Sequence, residues 1–300
     1  MPDAYSSIDT QRRFAGLERL YGPGSLSRLS AARVTVAGIG GVGSWCAEAL
    51  ARSGVGALGL IDLDHIAESN INRQLHALSE TLGQAKVVAM AQRVHGINPA
   101  CRVDMIDDFV SPENVVDLIP ADTQLIVDCT DQAAAKIAMI LEARRRAIPI
   151  VVCGGAGGKT NPLALRAGDL SAAVNDALLS KLRNTLRRQH RYPKASDHAG
   201  KVRKRVPKMG VHALWFDQPV LLPTQWLQSE SDAVAGGDAL AGIADGRQEL
   251  GQMAVHAPQA AALQGLSCAG YGSGVTITAA MGMAAANEAI QWLLAGRFTQ

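Results

Sequence analysis

A short apolar run, Val34-Thr35-Val36-Ala37, passes directly into Gly38-Ile39-Gly40-Gly41-Val42-Gly43, and helical spacing follows to Ser53 before Gly54 closes it. Few local patterns constrain a fold more tightly. A buried strand, a glycine turn and a helix in immediate succession form the phosphate-cradling unit of open α/β sheets. Missing side chains at Gly38, Gly40, Gly41 and Gly43 let the backbone approach a polyphosphate, and the helix N-terminus adds partial positive charge. Taken alone, the turn is compatible with a dinucleotide and an NAD(P)-dependent oxidoreductase.

The rest of the chain continues the pattern. A helical, amphipathic stretch over residues 8–30 precedes the turn, ending near Gly22-Pro23-Gly24, and a second strand runs from Ala57 to Asp62. Helical spacing returns over Lys86 to Val94. A strand at Arg102 to Ile106, a helix after Ser111-Pro112 with Ser111 as its N-cap, the strand Leu125–Asp128, a helix to Arg146 and the strand Pro149–Val152 follow. Alternation of this kind predicts an α/β fold: a doubly wound, Rossmann-like, mostly parallel sheet with helices on both faces, extended by a C-terminal strand-helix portion. With 48% apolar but only 4% aromatic residues, its core must rest on Ala, Val, Leu and Ile.

The polar residues after the turn move the reading from dinucleotide to ATP. Asp62 closes the second strand, where a carboxylate accepts bonds from ribose hydroxyls, with Asp64 beside it. Arg73 and Lys86 are cations suited to a polyphosphate, and Asn70 and Gln74 can position them or bond phosphate oxygens. Asp131, just past a strand end, suits Mg²⁺ held between phosphates. A dehydrogenase has little use for that Arg and Lys.

Several classes are excluded. The five cysteines, Cys46, Cys101, Cys129, Cys153 and Cys268, form no CxxC, which argues against a zinc ribbon and a secreted disulfide framework. Met1 to Arg13 hold no apolar signal-peptide core, so a cytoplasmic protein is expected. The uncharged segment Ala257 to Asn287 is too rich in Gly, Ala, Ser and Thr for a spanning helix; a buried strand-turn-helix is expected instead, with no integral membrane insertion.

In order along the chain, Gly-x-Gly-Gly-Val-Gly-Ser, Ser-Gly-Val-Gly, Asp-x-Asp, Ser-Asn-Ile-Asn-Arg-Gln, Gly-x-x-Lys, Ile-Asn-Pro and Asp-Cys-Thr-Asp resemble the ThiF/MoeB/ubiquitin-activating superfamily, whose members adenylate a carboxylate with ATP. Arg13-Phe14-x-Gly16, Leu20-Tyr21-Gly22, Gly154-Gly155-Ala156-Gly157-Gly158, Gly168-Asp169-Leu170, Lys181-Leu182-Arg183 and Cys268-Ala269-Gly270-Tyr271-Gly272-Ser273 look like its tRNA threonylcarbamoyladenosine dehydratase branch, which also lacks zinc-binding CxxC pairs.

The resemblance implies an ATP-binding adenylation core over residues 1–155 and, over 156–300, a C-terminal extension of the same domain that ends in a terminal helix. It implies ATP with Mg²⁺, room for a monovalent cation such as K⁺ or Na⁺, tRNA bearing threonylcarbamoyladenosine as substrate, and a homodimer in which Arg13 reaches the partner's nucleotide. Cys268 and a sulfur-transfer protein partner are a further implication. An adenylyltransferase acting on a ubiquitin-like sulfur carrier is the alternative, and it predicts the absent CxxC pairs. The basic stretch over residues 181–208, with Arg183, Arg187, Arg188, Arg203, Lys204 and Arg205, suits tRNA phosphates, and His190 and Tyr192 suit stacking on a base. Residues 229–250, acidic and Gly/Ala-rich, read as a mobile loop.

Overall fold

The structure is a computed structural model that describes residues 9–196, 201, 203–221 and 271–299. The described strands form one seven-stranded sheet in the order β3-β2-β1-β4-β5-β7-β6. They are β1 (Arg33–Ala37), β2 (Ala57–Ile61), β3 (Arg102–Ile106), β4 (Leu125–Asp128), β5 (Ile150–Cys153), β6 (Leu165–Asp169) and β7 (His212–Phe216). Every neighbouring pair is parallel except β6 and β7, which run antiparallel at one edge. The chain winds outward from β1 through β2 to β3, then returns to place β4 on the other side of β1. That reversal opens a crevice beyond the carboxyl ends of β1 and β4.

Strands β1, β4, β5 and β7 are buried along their full length, which explains their continuous apolar runs. Helices cover both faces. One face carries α2 (Ser25–Ser30), α3 (Gly43–Arg52), α4 (Lys86–Ile97) and α8 (Val275–Ala295) around Leu50, Leu58, Met90 and Met281. The other carries α5 (Val115–Leu118), α6 (Ala133–Arg146) and α7 (Ala177–Gln189) around Ile126, Met139, Leu182 and Val152. The sheet passes from β5 to β7 and β6 without a break, so residues on both sides of position 155 share one hydrogen-bonded layer.

Three local expectations are corrected. The stretch 8–30 is two helices, α1 (Thr10–Tyr21) and α2, because Gly22 and Gly24 adopt positive φ of 91° and 79° around Pro23. The N-cap of α5 is Asn114, not Ser111; the Asn114 side chain accepts from the Ser111 amide at 2.7 Å and donates to the Phe109 carbonyl at 2.9 Å. This local bonding holds residues 109–114 in a turn and delays the helix. Third, the strand of the expected C-terminal strand-helix portion is a pair, β6 and β7; Asp169 joins them by accepting from the amides of Met209 and Gly210.

Of the uncharged C-terminal segment, residues 275–287 lie in α8, and residues 257–270 fall outside those described. Helix α8 lies hard against α3: a Cβ at Gly282 would collide with the Val42 carbonyl and with Trp45 Cβ, so only glycine permits this approach. No helix among the described residues is long and apolar enough to cross a membrane.

Candidate active site

A cleft of ≈ 610 Å³ opens at the crevice between β1 and β4. Of the residues singled out from sequence, Gly38, Gly40, Gly41, Asp62, Asp64, Asn70, Arg73, Gln74, Lys86 and Asp131 all line it. Gly43 lies beneath, where a Cβ would strike the Gly38 carbonyl. Arg13 lies outside the cleft of its own chain, with Nη1 donating to the Ile97 carbonyl at 2.6 Å. Cys268 and the acidic stretch 229–250 fall outside the described residues.

The glycine turn is built tightly. At Gly38, with φ of 83°, a Cβ would come within 2.8 Å of the Cys129 and Thr130 backbone, so the turn rests directly on the loop after β4. Among the described residues the amides of Gly40, Gly41 and Val42 donate to no protein acceptor, and α3 starts without a side-chain cap. Helix α6 likewise starts uncapped at Gln132, which lines the same cleft. Two helix N-termini with free N–H groups therefore converge where an anion would sit.

The charged residues are pre-positioned. Asp62 accepts from the Ile39 amide at 2.6 Å and from the Asp64 amide at 2.9 Å. Burial pushes its pKa up, opposed by Lys86 and those two amides. Lys86 is buried at the first position of α4, where the helix dipole disfavours a cation. Asp64 at 2.6 Å and Asp62 at 3.5 Å offset that cost. Arg73 Nη1 donates to the Ser69 carbonyl at 2.6 Å and Asn72 Oδ1 at 2.9 Å, and Trp45 Nε1 holds the Arg73 carbonyl at 3.1 Å. Asn70 Oδ1 accepts from the Ala67 amide at 3.0 Å, so this side chain shapes its own turn. Gln74 is buried with Oε1 free of any hydrogen-bond partner among the described residues.

Asp131 is exposed at the mouth and does not cap α6, whose N-cap is Gln132. Beneath it lies a pair that sequence reading missed. Lys136 and Asp128 are both wholly buried, with Nζ 3.0 Å from Oδ1. Asp128 Oδ1 also accepts from the Thr130 amide and hydroxyl, at 3.0 and 2.7 Å. Burial raises the Asp128 pKa while Lys136 opposes it. The pair braces the short loop carrying Asp131. A lysine amid Ala and Ile on α6 reads as a surface residue, so no local signal announced it.

The cleft also draws in Phe109, Gly154–Ala156, Leu178 and Thr278, none of which was assigned a role from sequence. Segment 271–274 ties its rims together: Asn72 Nδ2 donates to the Ser273 carbonyl at 2.8 Å, and the Gly158 amide to the Gly272 carbonyl at 2.9 Å. Cys129 and Cys153 lie 3.8 Å apart at sulfur below the turn. Contact with Cys129 and burial push the Cys153 thiol well above its ordinary range, so it is packing rather than a nucleophile.

The basic stretch divides into two kinds of residue. Arg183 is half-buried and donates to the Ala173 carbonyl at 2.7 Å; Arg187 donates to the Pro193 carbonyl at 3.1 Å. Arg188, Arg203, Lys204 and Arg205 are exposed. Tyr192 is corrected: it is buried, with the Arg144 guanidinium 5.0 Å over its ring, so that face is closed to a base.

The ThiF family model matches residues 11–299. The tRNA threonylcarbamoyladenosine dehydratase of Escherichia coli is 36% identical over 95% of this chain and 94% of its own length. The Haemophilus influenzae enzyme of the same name is 43% identical over 71% of this chain and 78% of its own. The crystal structure of the E. coli enzyme in complex with ATP superposes with a TM-score of 0.74 at 33% identity, covering 97% of this chain and 98% of that one. The chain belongs to the ThiF family, on the branch of the tRNA threonylcarbamoyladenosine dehydratases.

Proposed function

We propose that the cleft uses ATP to dehydrate threonylcarbamoyladenosine in tRNA through a carboxyl-adenylate. The observation that carries this reading is the convergence of the glycine turn after β1, the Arg73 loop, Lys86 and Asp131 after β4 on one crevice. A threonyl carboxylate oxygen attacks the α-phosphorus of ATP, and the bond to the bridging oxygen breaks to release pyrophosphate. A nitrogen or oxygen of the same modification then attacks the activated carbonyl carbon. AMP leaves with the oxygen that the carboxylate has lost, and the net change is loss of water. Hydroxide leaves a free carboxylate poorly, whereas AMP leaves an acyl-adenylate readily.

With little covalent chemistry for the protein, catalysis is positioning and charge stabilisation. The free amides of Gly40, Gly41 and Val42 take phosphate oxygens, and Asp62 faces the ribose. Arg73 and Lys86 neutralise the polyphosphate, Lys86 by exchanging part of its Asp64 contact for phosphate. The donor set also suits Mg²⁺: Asp131 is an exposed carboxylate at the mouth of the cleft, within reach of the phosphates the glycine turn would hold. A single carboxylate plus phosphate oxygens and water is the usual environment of that ion, which supplies charge neutralisation at the phosphates. A cytoplasmic homodimer, with Arg13 directed to the partner's nucleotide, completes the reading.

The test is AMP release from labelled ATP with modified tRNA or with a ubiquitin-like sulfur carrier as acceptor. Turnover with the tRNA alone is expected; turnover with the carrier alone would overturn the proposal.

A further inference from the structure

His76 lies two residues beyond Gln74 and is buried, 3% exposed. Its Nε2 is 2.9 Å from the carbonyl oxygen of Ile39, inside the glycine turn. Only a protonated Nε2 can bond a carbonyl, so that nitrogen carries the hydrogen and Nδ1 is left as an acceptor. Nδ1 is buried and has no partner among the described residues. An orphaned acceptor of this kind costs about 1–3 kcal/mol. A side chain kept only to fill space would avoid that cost with Leu or Met.

Ile39 is held through its preceding peptide as well, since its amide donates to Asp62 at 2.6 Å. The peptides on the two sides of Ile39 are therefore both held, one by the aspartate after β2 and the other by a histidine from the Arg73 loop. Immediately beyond it come the free amides of Gly40, Gly41 and Val42. Burial opposes protonation of the imidazole, and the charges of Lys86 and Arg93 add to it, outweighing the Ile39 carbonyl, which favours the proton. A neutral ring with its proton on Nε2 is the form that the site maintains.

We propose that His76 is a positioning residue for ATP: its Nε2–H holds the Ile39 carbonyl and so fixes the glycine turn with its amides aimed at the polyphosphate. The inference rests on the reading of the cleft as an ATP site. It couples that turn to the Arg73 loop, so both halves of the phosphate site move as one body.

The test compares His76→Leu, which lacks a donor, with His76→Gln, whose amide restores one, in the full chain. Affinity is read with a fluorescent ATP analogue, and KM is measured separately for ATP and for modified tRNA. Loss of one buried hydrogen bond predicts about a ten-fold rise in KM for ATP in His76→Leu, with KM for tRNA within about two-fold. His76→Gln should recover most of the loss. ATP affinity unchanged in His76→Leu, or lost equally in both variants, overturns the inference alone. Wild-type protein that binds no ATP overturns the reading of the cleft, and the inference with it.

A measurement on the wild type covers the case in which His76→Leu does not fold. Imidazole ¹⁵N spectra should show the Nε2–H tautomer throughout the neutral range and a shift of that resonance on adding ATP. An Nδ1–H tautomer, or no response to ATP, overturns the proposal.

Discussion

The nucleotide cleft and the basic stretch over residues 181–208 both concentrate charge, and they hold it in opposite ways. In and beneath the cleft three cations are fixed before any ligand arrives: Lys86 between Asp62 and Asp64, Arg73 on the Ser69 carbonyl, Lys136 against Asp128. In the basic stretch Arg183 and Arg187 bond the fold, while Arg188, Lys204 and Arg205 stand in solvent and the exposed Arg203 donates to the Ser196 carbonyl at 3.3 Å. Fixed, part-buried charges stabilise a defined transition state because they need no reorganisation. Solvated cations act through a screened field and favour any polyanion nearby. The first arrangement suits chemistry at a point, and the second suits contact with a large polyanion.

Variants that break the contrast should differ in kind. The largest effect is expected from Lys136→Met, which strands a buried carboxylate at Asp128 and should cost about 3–5 kcal/mol in denaturant unfolding. Adding Asp128→Asn should recover much of that loss; no recovery would show that Lys136 acts through packing rather than charge. Next, Arg73→Ala or Asp131→Ala should lower AMP formation on the order of 10²–10³-fold with little change in Tm, because neither side chain is buried. Wild-type turnover in either would refute its assigned role.

A pH effect of intermediate size should appear at His76. Burial first, with Lys86 and Arg93, lowers its pKa to about 4 from 6.5. Folded protein thus keeps the ring neutral where the unfolded chain protonates it. Stability is full above about pH 6.5 and is lost as pH falls towards 4, by up to about 3 kcal/mol. Unfolding free energies of wild type and His76→Gln across that window should diverge by this amount, with the wild type falling more steeply; parallel curves would show an ordinary histidine. Smallest per residue are the exposed cations. Replacing Arg203, Lys204 and Arg205 with Ala should leave ATP affinity untouched, weaken tRNA binding and flatten its log–log salt dependence by roughly 2–3. An unchanged salt slope would place the tRNA elsewhere.

Legibility in the sequence followed locality. Strands β1, β2 and β4 could be read because each is a short apolar run closed by Gly or Asp, and most cleft residues could be read because they sit at those strand ends. Strands β6 and β7 could not be placed within the C-terminal portion, since β6 pairs with β7 across a long basic stretch and β7 finds its other partner in the distant β5. Tyr192 was misplaced because an aromatic in a cationic run looks exposed, while tertiary packing buries it under Arg144. Lys136 and His76 were missed for a related reason: Lys and His carry no mark of burial until the elements around them are assembled.

By itself the sequence determined the chemistry available: a glycine cradle, two cations, a row of carboxylates and no zinc ligand pairs. Tertiary structure alone decided which of these meet and in what state. Strand order sets β4 beside β1, so Asp131 faces Gly40 across one crevice despite the distance between them in the chain. Burial then sets the state of the charges, pairing Lys136 with Asp128 and keeping His76 neutral against the Ile39 carbonyl. Adjacency of strands and exclusion of water belong to the assembled sheet and its helices, and no local run of residues encodes either.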